Sequence, residues 1–209
     1  MLFKKHPEKF WNLIASKYAA SPIADRAAYE TKLEKIKGYL STDTRMLDIG
    51  CATGTQCCDL SPVIAHATGI DISGKLLAIA EQRKGERGLD NIEYMNTTVF
   101  DSRLKPESFD LVTSFYVVHF VPNIDEFFAR VYSLLKPGGL YISETACLGE
   151  KGKLLGLFLR LAGSLGLMPK INLLTTAQLE QALEKAGFRL VEKTMFSQIN
   201  HEYTLFAKK

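Results

Sequence analysis

Asp48, Gly50, Ala52 and Gly54 alternate through the stretch MLDIGCATG at residues 46–54, and a second carboxylate, Asp71, follows in GIDIS. Residues 45–49 form a short, mostly apolar run closed by Gly50, the pattern of a buried strand about to turn into a helix. The small residues Cys51, Ala52 and Thr53 in the loop let a ligand come close to backbone N–H groups. Asp71, about twenty residues further on at the end of a second apolar segment, can accept hydrogen bonds from ribose hydroxyls. Together these residues describe a nucleoside pocket. Their spacing is not the G-x-G-x-x-G that cradles a pyrophosphate, and a carboxylate just ahead of the loop repels phosphate. The expected ligand has a positive end and no phosphates, which argues against a nicotinamide oxidoreductase.

The stretch closely resembles the first motif, D/E-x-G-x-G-x-G, of the class I methyltransferases that use S-adenosylmethionine. Asp48, Gly50 and Gly54 match it, and Ala52 departs from it by adding a methyl group where the backbone passes the cofactor. The stretches SFD at 108–110, LLKPGGLYISE at 134–144 and TAQLEQALEKAGF at 176–188 are further family features. The resemblance implies S-adenosylmethionine as cofactor, S-adenosylhomocysteine as product and a small-molecule acceptor. It also implies cofactor contacts at Tyr18, Asp48, Gly50, Cys51, Ala52, Gly54, Asp71, Ile72, Thr98, Val99 and Phe115. Thr98 stands where the family usually carries the aspartate that meets adenine, and a hydroxyl still accepts a hydrogen bond. Trp11, Tyr116 and His119 are the implied substrate pocket. His119 is the candidate general base, with a hydrogen-bonding place in the pocket wall as its alternative. Tyr18 either meets the cofactor or simply packs.

The composition bounds this reading. The 209 residues carry a formal charge of only +3, without a basic stripe, so nucleic acid is not an expected partner. Lys4 and Lys5 are followed by polar residues rather than an apolar core, so no secretory signal is read and a cytoplasmic location is expected. The four cysteines, Cys51, Cys57, Cys58 and Cys147, lack paired C-x-x-C spacing and read as buried thiols, with no metal site. Cysteine ligands of an arsenic- or thiol-handling methyltransferase are the functional alternative.

Amphipathic spacing predicts two N-terminal helices, the first carrying Phe10, Trp11, Ile14 and Tyr18, the second over 26–39 with Tyr29, Leu33 and Ile36. Strands are expected at 45–49, 67–72, 92–96, along LVTSFYVVHF after Asp110, at 140–144, and as a closing pair at 189–196 and 202–207. Helices are expected at 55–65, shortened if Pro62 ends them, and at 74–87, 123–135 and 176–186. The fold class is α/β: a Rossmann-like, doubly wound and mostly parallel sheet of about seven strands, the last antiparallel, with an N-terminal helical cap. The single domain divides into a cap at 1–42, a cofactor-binding core at 43–146, a lid segment at 147–175 and a terminal helix and strand pair at 176–209. The leucine-rich stretch 149–168 is too interrupted to span a bilayer, which takes about twenty apolar residues, and is read as a lid that helps wall the pocket. No stable membrane insertion is expected, and oligomeric state is not legible. The function read is methyl transfer to a small, apolar or aromatic molecule. The alternative is a cofactor-binding protein without methyl-transfer activity that acts as a sensor or partner.

Overall fold

The computed structural model describes residues 6–150, 152–197 and 202–209; Lys4, Lys5 and the side chains of Leu154, Leu155 and Arg160 lie outside the described residues. Two helices come first, α1 (Pro7–Ala20) and α2 (Arg26–Lys37). Then β1 (Arg45–Ile49), α3 (Thr55–Leu60), β2 (His66–Asp71), α4 (Gly74–Glu86), β3 (Ile92–Asn96) and β4 (Phe109–Phe115) alternate. The chain continues through α5 (Ile124–Leu134), β5 (Leu135–Glu144), α6 (Lys153–Ser164), α7 (Thr176–Lys185), β6 (Arg189–Thr194) and β7 (Thr204–Lys208).

The strands lie in the order β3-β2-β1-β4-β5-β7-β6. The first five run parallel, and β7 inserts antiparallel between β5 and β6. β1 is central and apolar on both faces because helices cover both. Its alternate residues serve opposite cores. Leu47 and Ile49 join Phe127, Phe128, Val131, Leu179 and Leu183 from α5 and α7. Met46 joins Leu33, Ile36, Cys57, Cys58 and Leu60 from α2 and α3.

Several boundaries differ from the sequence expectation, each for a local reason. The helix expected over 55–65 stops at Leu60 and tightens into a 3-10 turn, Ser61–Val63, because Pro62 cannot continue the α-helical hydrogen bonding. α2 ends at Lys37, where Gly38 caps it. β4 does not run to Phe120. It ends at Phe115, Tyr116 takes a left-handed φ of 60°, and a 3-10 turn, Val118–Phe120, follows. β5 begins earlier than expected, at Leu135, and accommodates Lys136–Gly139 as an irregularity between the Phe109–Leu135 and Leu111–Leu140 pairs. α7 begins at Thr176 as expected and ends at Lys185, with Thr175 capping it in a capping box with Gln178.

The turn after β1 positions everything that follows. Gly50 N and Cys51 N both donate to Ile70 O, at 2.8 and 3.0 Å, which locks the turn to the end of β2. Gly50 has φ 71° and faces Val117 so closely that a Cβ would collide with that side chain. Both the backbone and the space require glycine. Gly50→Ala is therefore expected to destabilise the protein by about 2 kcal/mol or more, from left-handed strain plus overpacking. Urea unfolding checks this; an unchanged midpoint would mean that the turn relaxes freely.

Candidate functional site

A cavity of about 500 Å³ opens at the carboxyl ends of β1 and β4. Open parallel sheets bind ligands at this edge, where the strand order reverses between β1 and β4. Its inner wall includes Asp48, Gly50, Cys51, Ala52, Thr55 and Gln56, and Tyr18, Tyr29, Lys32, Phe115, Tyr116 and Phe196 contribute to the outer part. Of the residues expected from the sequence, Tyr18, Asp48, Gly50, Cys51, Ala52, Phe115 and Tyr116 line this space. Trp11, Gly54, Asp71, Ile72, Thr98, Val99 and His119 do not.

Asp48 is buried, with 4% of its surface exposed. Thr113 Oγ1 donates to its Oδ1 at 2.8 Å, and Cys57 Sγ to its Oδ2 at 3.5 Å. Gln56 Nε2 in turn donates to Thr113 Oγ1 at 2.8 Å, which leaves Gln56 Oε1 buried without a partner among the described residues. Burial pushes the Asp48 carboxyl up to about 6, against the two hydrogen bonds. A buried carboxylate with few donors, beside an unmatched carbonyl oxygen, is a site for a cation with N–H donors.

Asp71 joins two loops. Its Oδ2 accepts from Ala52 N at 3.1 Å and its Oδ1 from Ser73 N at 2.8 Å. Burial raises its pKa, and these backbone bonds oppose the rise. Each oxygen keeps a lone pair for a further donor. The carboxylate thus ties the glycine loop to the start of α4. On the other side of that start, Asn12 Oδ1 of α1 accepts from Ser73 Oγ at 2.8 Å and Lys75 N at 3.1 Å. Further along α1, Trp11 packs edge-on against Phe120 at 5.3 Å between ring centroids. Trp11 is therefore a strut that pins α1 across the strand ends. Tyr18, near the end of α1, lines the same cavity as Asp48. Its pKa is raised first by burial, then by Asp71, Asp48 and Cys51.

His119 is placed differently from a general base poised in the pocket. It is buried in the turn after β4, its ring 4.2 Å from that of Phe120, and its Nδ1 has no partner among the described residues. Burial lowers its pKa to about 4, so the imidazole is neutral near pH 7 and a weak proton acceptor. Thr98 is exposed, and Val99 is buried with its carbonyl accepting from Arg130 Nε at 3.1 Å. The four cysteines are free and buried, and burial pushes the Cys51 and Cys57 thiols well up. No cluster that could hold a metal occurs among the described residues. None of the described side chains of the leucine-rich helix lines the cavity. Leu157, Phe158, Leu161, Leu165 and Leu167 are exposed, and no described helix is long and apolar enough to cross a membrane.

Sequence reasoning missed Tyr29, Lys32, Gln56, Arg83 and Glu144, all of which line the cavity. A signal for Lys32 was present. Tyr29, Lys32, Leu33 and Ile36 follow the i, i+3, i+4, i+7 spacing of one helix face, so this lysine stands inside an apolar stripe. Its partner, Glu144, ends the apolar strand LYISE in the same unguarded way.

Ala52, the departure from the expected motif, has a left-handed φ of 49°. Such a conformation costs an L-residue about 1–2 kcal/mol, and glycine's larger unfolded-state entropy returns about 0.4–1 kcal/mol of any gain. Ala52→Gly is expected to leave stability equal or up to about 1 kcal/mol higher, read by urea unfolding. A marked loss would show that the methyl group packs usefully.

Asp48 generates a pH-dependent expectation. Its pKa rises from the usual 3.8 to about 6, so its ionisation favours the unfolded chain. The stability it contributes is present below pH about 4 and is lost as pH rises through 6. Asp48→Asn should therefore gain on the wild type by up to about 3 kcal/mol between pH 4 and 7 in the ligand-free protein. Parallel stability curves across that range would contradict this.

Comparisons with known proteins agree with the geometry. The family model described as a methyltransferase domain matches residues 47–143. The ubiquinone biosynthesis O-methyltransferase of Brucella anthropi is 32% identical over 155 residues, 71% of this chain and 61% of that protein. The phosphoethanolamine N-methyltransferase 2 of Caenorhabditis elegans is 33% identical over 114 residues, 53% of this chain and 26% of that protein. The chain thus spans less than two thirds of the length of either relative. Among solved structures, the [4+2]-cyclase SpnF superposes with a TM-score of 0.80 over 99% of this chain and 96% of that one, at 17% identity. That likeness concerns the fold. A matched methyltransferase domain, a carboxylate and glycine loop at the strand-order reversal and an antiparallel penultimate strand converge, and the chain belongs to the class I S-adenosylmethionine-dependent methyltransferases.

Proposed function

We propose that the protein transfers the methyl group of S-adenosylmethionine to a small, predominantly aromatic or apolar acceptor. The observation that carries this reading is the cavity itself, in which a carboxylate-lined inner wall meets an outer wall of Tyr18, Tyr29, Phe115, Tyr116 and Phe196. Its volume of about 500 Å³ suits a small acceptor beside the methionine end of the cofactor rather than a polymer.

The residues present fit the cofactor. Asp48, buried and short of a cation, would hold the α-ammonium group, with the unmatched Gln56 Oε1 as a second acceptor. Gly50 and Ala52, both left-handed, bring the backbone close. Asp71 would take the ribose hydroxyls while keeping its two amide bonds. Ile72, Thr98 and Val99, just past the ends of β2 and β3, are assigned to the adenine side, in the region that α1 spans. When bound, S-adenosylmethionine supplies a methyl carbon already activated by a sulfonium, with a neutral thioether as leaving group. The chain's contribution is therefore to orient the acceptor in line and to exclude water. Tyr18 and Tyr116 both line the cavity, and the left-handed φ of Tyr116 is strain held at the site it serves. The neutral, buried His119 acts on this reading as support for the turn after β4, and Trp11 as the brace of α1.

A second reading is favoured by one observation. A protein named for cyclisation superposes on almost the whole chain, so the same scaffold serves chemistry other than methyl transfer. S-adenosylmethionine bound without turnover in a broad acceptor screen would favour it.

Asp71→Ala is expected to weaken S-adenosylmethionine binding by about 1.5–3 kcal/mol, the range for hydrogen bonds to a charged group. Calorimetry on the folded variant measures this, and undiminished affinity would remove Asp71 from the ribose site.

A further inference from the structure

An ion pair is buried in the outer wall of the cavity. Lys32 of α2 and Glu144 at the carboxyl end of β5 bond to each other, with only 8% and 4% of their side chains exposed. Both line the cavity. The Lys32 ammonium also sits 4.3 Å from the centre of the Phe115 ring. Phe115 and Glu144 are register partners at the ends of adjacent parallel strands, and Tyr116 N donates to Glu144 O at 2.7 Å. The pair is thus fixed by the sheet on one side and by α2 on the other.

Burying two charges costs several kcal/mol each, and a pair of apolar residues of similar size is often at least as stable. The fold has no evident need of ions here, since Tyr29, Leu33 and Ile36 on the same helix face pack by apolar contact. Lys32 has three N–H donors, and Glu144 is its hydrogen-bond acceptor among the described side chains. The other donors can face the cavity, beside an aromatic wall.

We infer that Lys32 and Glu144 are the acceptor-binding pair: Lys32 holds the oxygen of an acidic aromatic hydroxyl, and Glu144 receives its proton. This rests on the methyl-transfer reading and narrows its acceptor to phenols and their relatives. The hydroxyl oxygen donates an electron pair to the methyl carbon as its proton passes to the Glu144 carboxylate. The bond from that carbon to sulfur breaks, and its electron pair stays on sulfur. Lys32 keeps its proton throughout and stabilises the oxygen while it is anionic. Phe115 supplies both a face for the ammonium and a surface for the acceptor ring.

The two partners have opposite effects on an anionic ligand, which separates recognition from mere support. The probe is 4-nitrophenol, added at one fixed pH to the protein saturated with S-adenosylhomocysteine. Its phenolate absorption reports both binding and ionisation, and nitrobenzene is the control without an oxygen acid. The wild type should bind the phenolate and discriminate against nitrobenzene. Lys32→Met should lose phenolate binding by roughly tenfold or more, as expected for a charged hydrogen bond removed. Glu144→Gln leaves the ammonium uncompensated and should bind the phenolate several-fold more tightly. The double variant Lys32→Met/Glu144→Gln buries no charge, so it should stay folded, bind S-adenosylhomocysteine normally and lack phenolate binding. Equal losses in Lys32→Met and Glu144→Gln, or a double variant that binds phenolate like the wild type, would overturn the inference. So would equal binding of nitrobenzene and phenolate by the wild type. A wild type that fails to bind S-adenosylhomocysteine at all would overturn the underlying functional reading instead, and this inference with it.

Discussion

The burial of Asp48 is the constraint around which the site is built. A carboxylate at the end of a central strand, with helices over both faces, has almost no access to water, and two weak side-chain donors offset its desolvation only in part. The ligand-free protein therefore carries an unfavourable charge, which on the proposed reading the cofactor's cation relieves, with the glycine loop letting that cation approach. Gly50 must be left-handed to clear Val117 and bond to Ile70, and Asp71 holds the far side of the loop through Ala52 N. A single electrostatic deficit thus accounts for the glycines, the second carboxylate and the tie to α4.

The cofactor half was legible in the sequence because its determinants are local. Asp48, Gly50, Ala52 and Gly54 lie within one strand and turn, where glycine reports backbone conformation directly; the positive φ angles of Gly50 and Gly54 follow from it, whereas that of Ala52 does not. The strand and helix order was legible for the same reason, since β1, β2 and β3 are compact apolar runs between clear breaks. Boundaries were less legible where an apolar run crosses a conformational change. LVTSFYVVHF reads as one strand, but the chain turns at Tyr116, whose φ sequence pattern does not reveal.

The outer wall was hidden because its determinants are distant. Lys32 and Glu144 are separated by 112 residues; Lys32 lies in no motif, and Glu144 merely ends the stretch LLKPGGLYISE, so only their presence in apolar stripes marks them as a pair. His119 and Trp11 show the reverse case. Both have the residue types of a reactive or ligand-stacking site, yet the turn at Val118–Phe120 places the imidazole in the interior, and the indole braces α1 against Phe120. In the leucine-rich helix, expected as a lid on composition, Leu157, Phe158 and Leu161 are exposed to solvent.

This division has a consequence for what family likeness can say. The matched methyltransferase stretch, residues 47–143, contains Asp48, Gly50, Ala52, Gln56 and Asp71, so it covers the residues assigned to the cofactor. Tyr18, Tyr29, Lys32, Glu144 and Phe196, which line the outer part of the cavity, all fall outside it. Relatives that share the core can therefore differ freely in α1, α2 and the segments after β5 and β6 without disturbing the glycine loop. The relatives' names are consistent with this, since one is named for ubiquinone biosynthesis and another for phosphoethanolamine. At the ends of β4 and β5 the cavity is lined by Phe115, Tyr116 and Glu144. On the proposed reading, acceptor choice depends on how α2 docks Lys32 against those strand ends, a long-range contact that local sequence pattern does not encode.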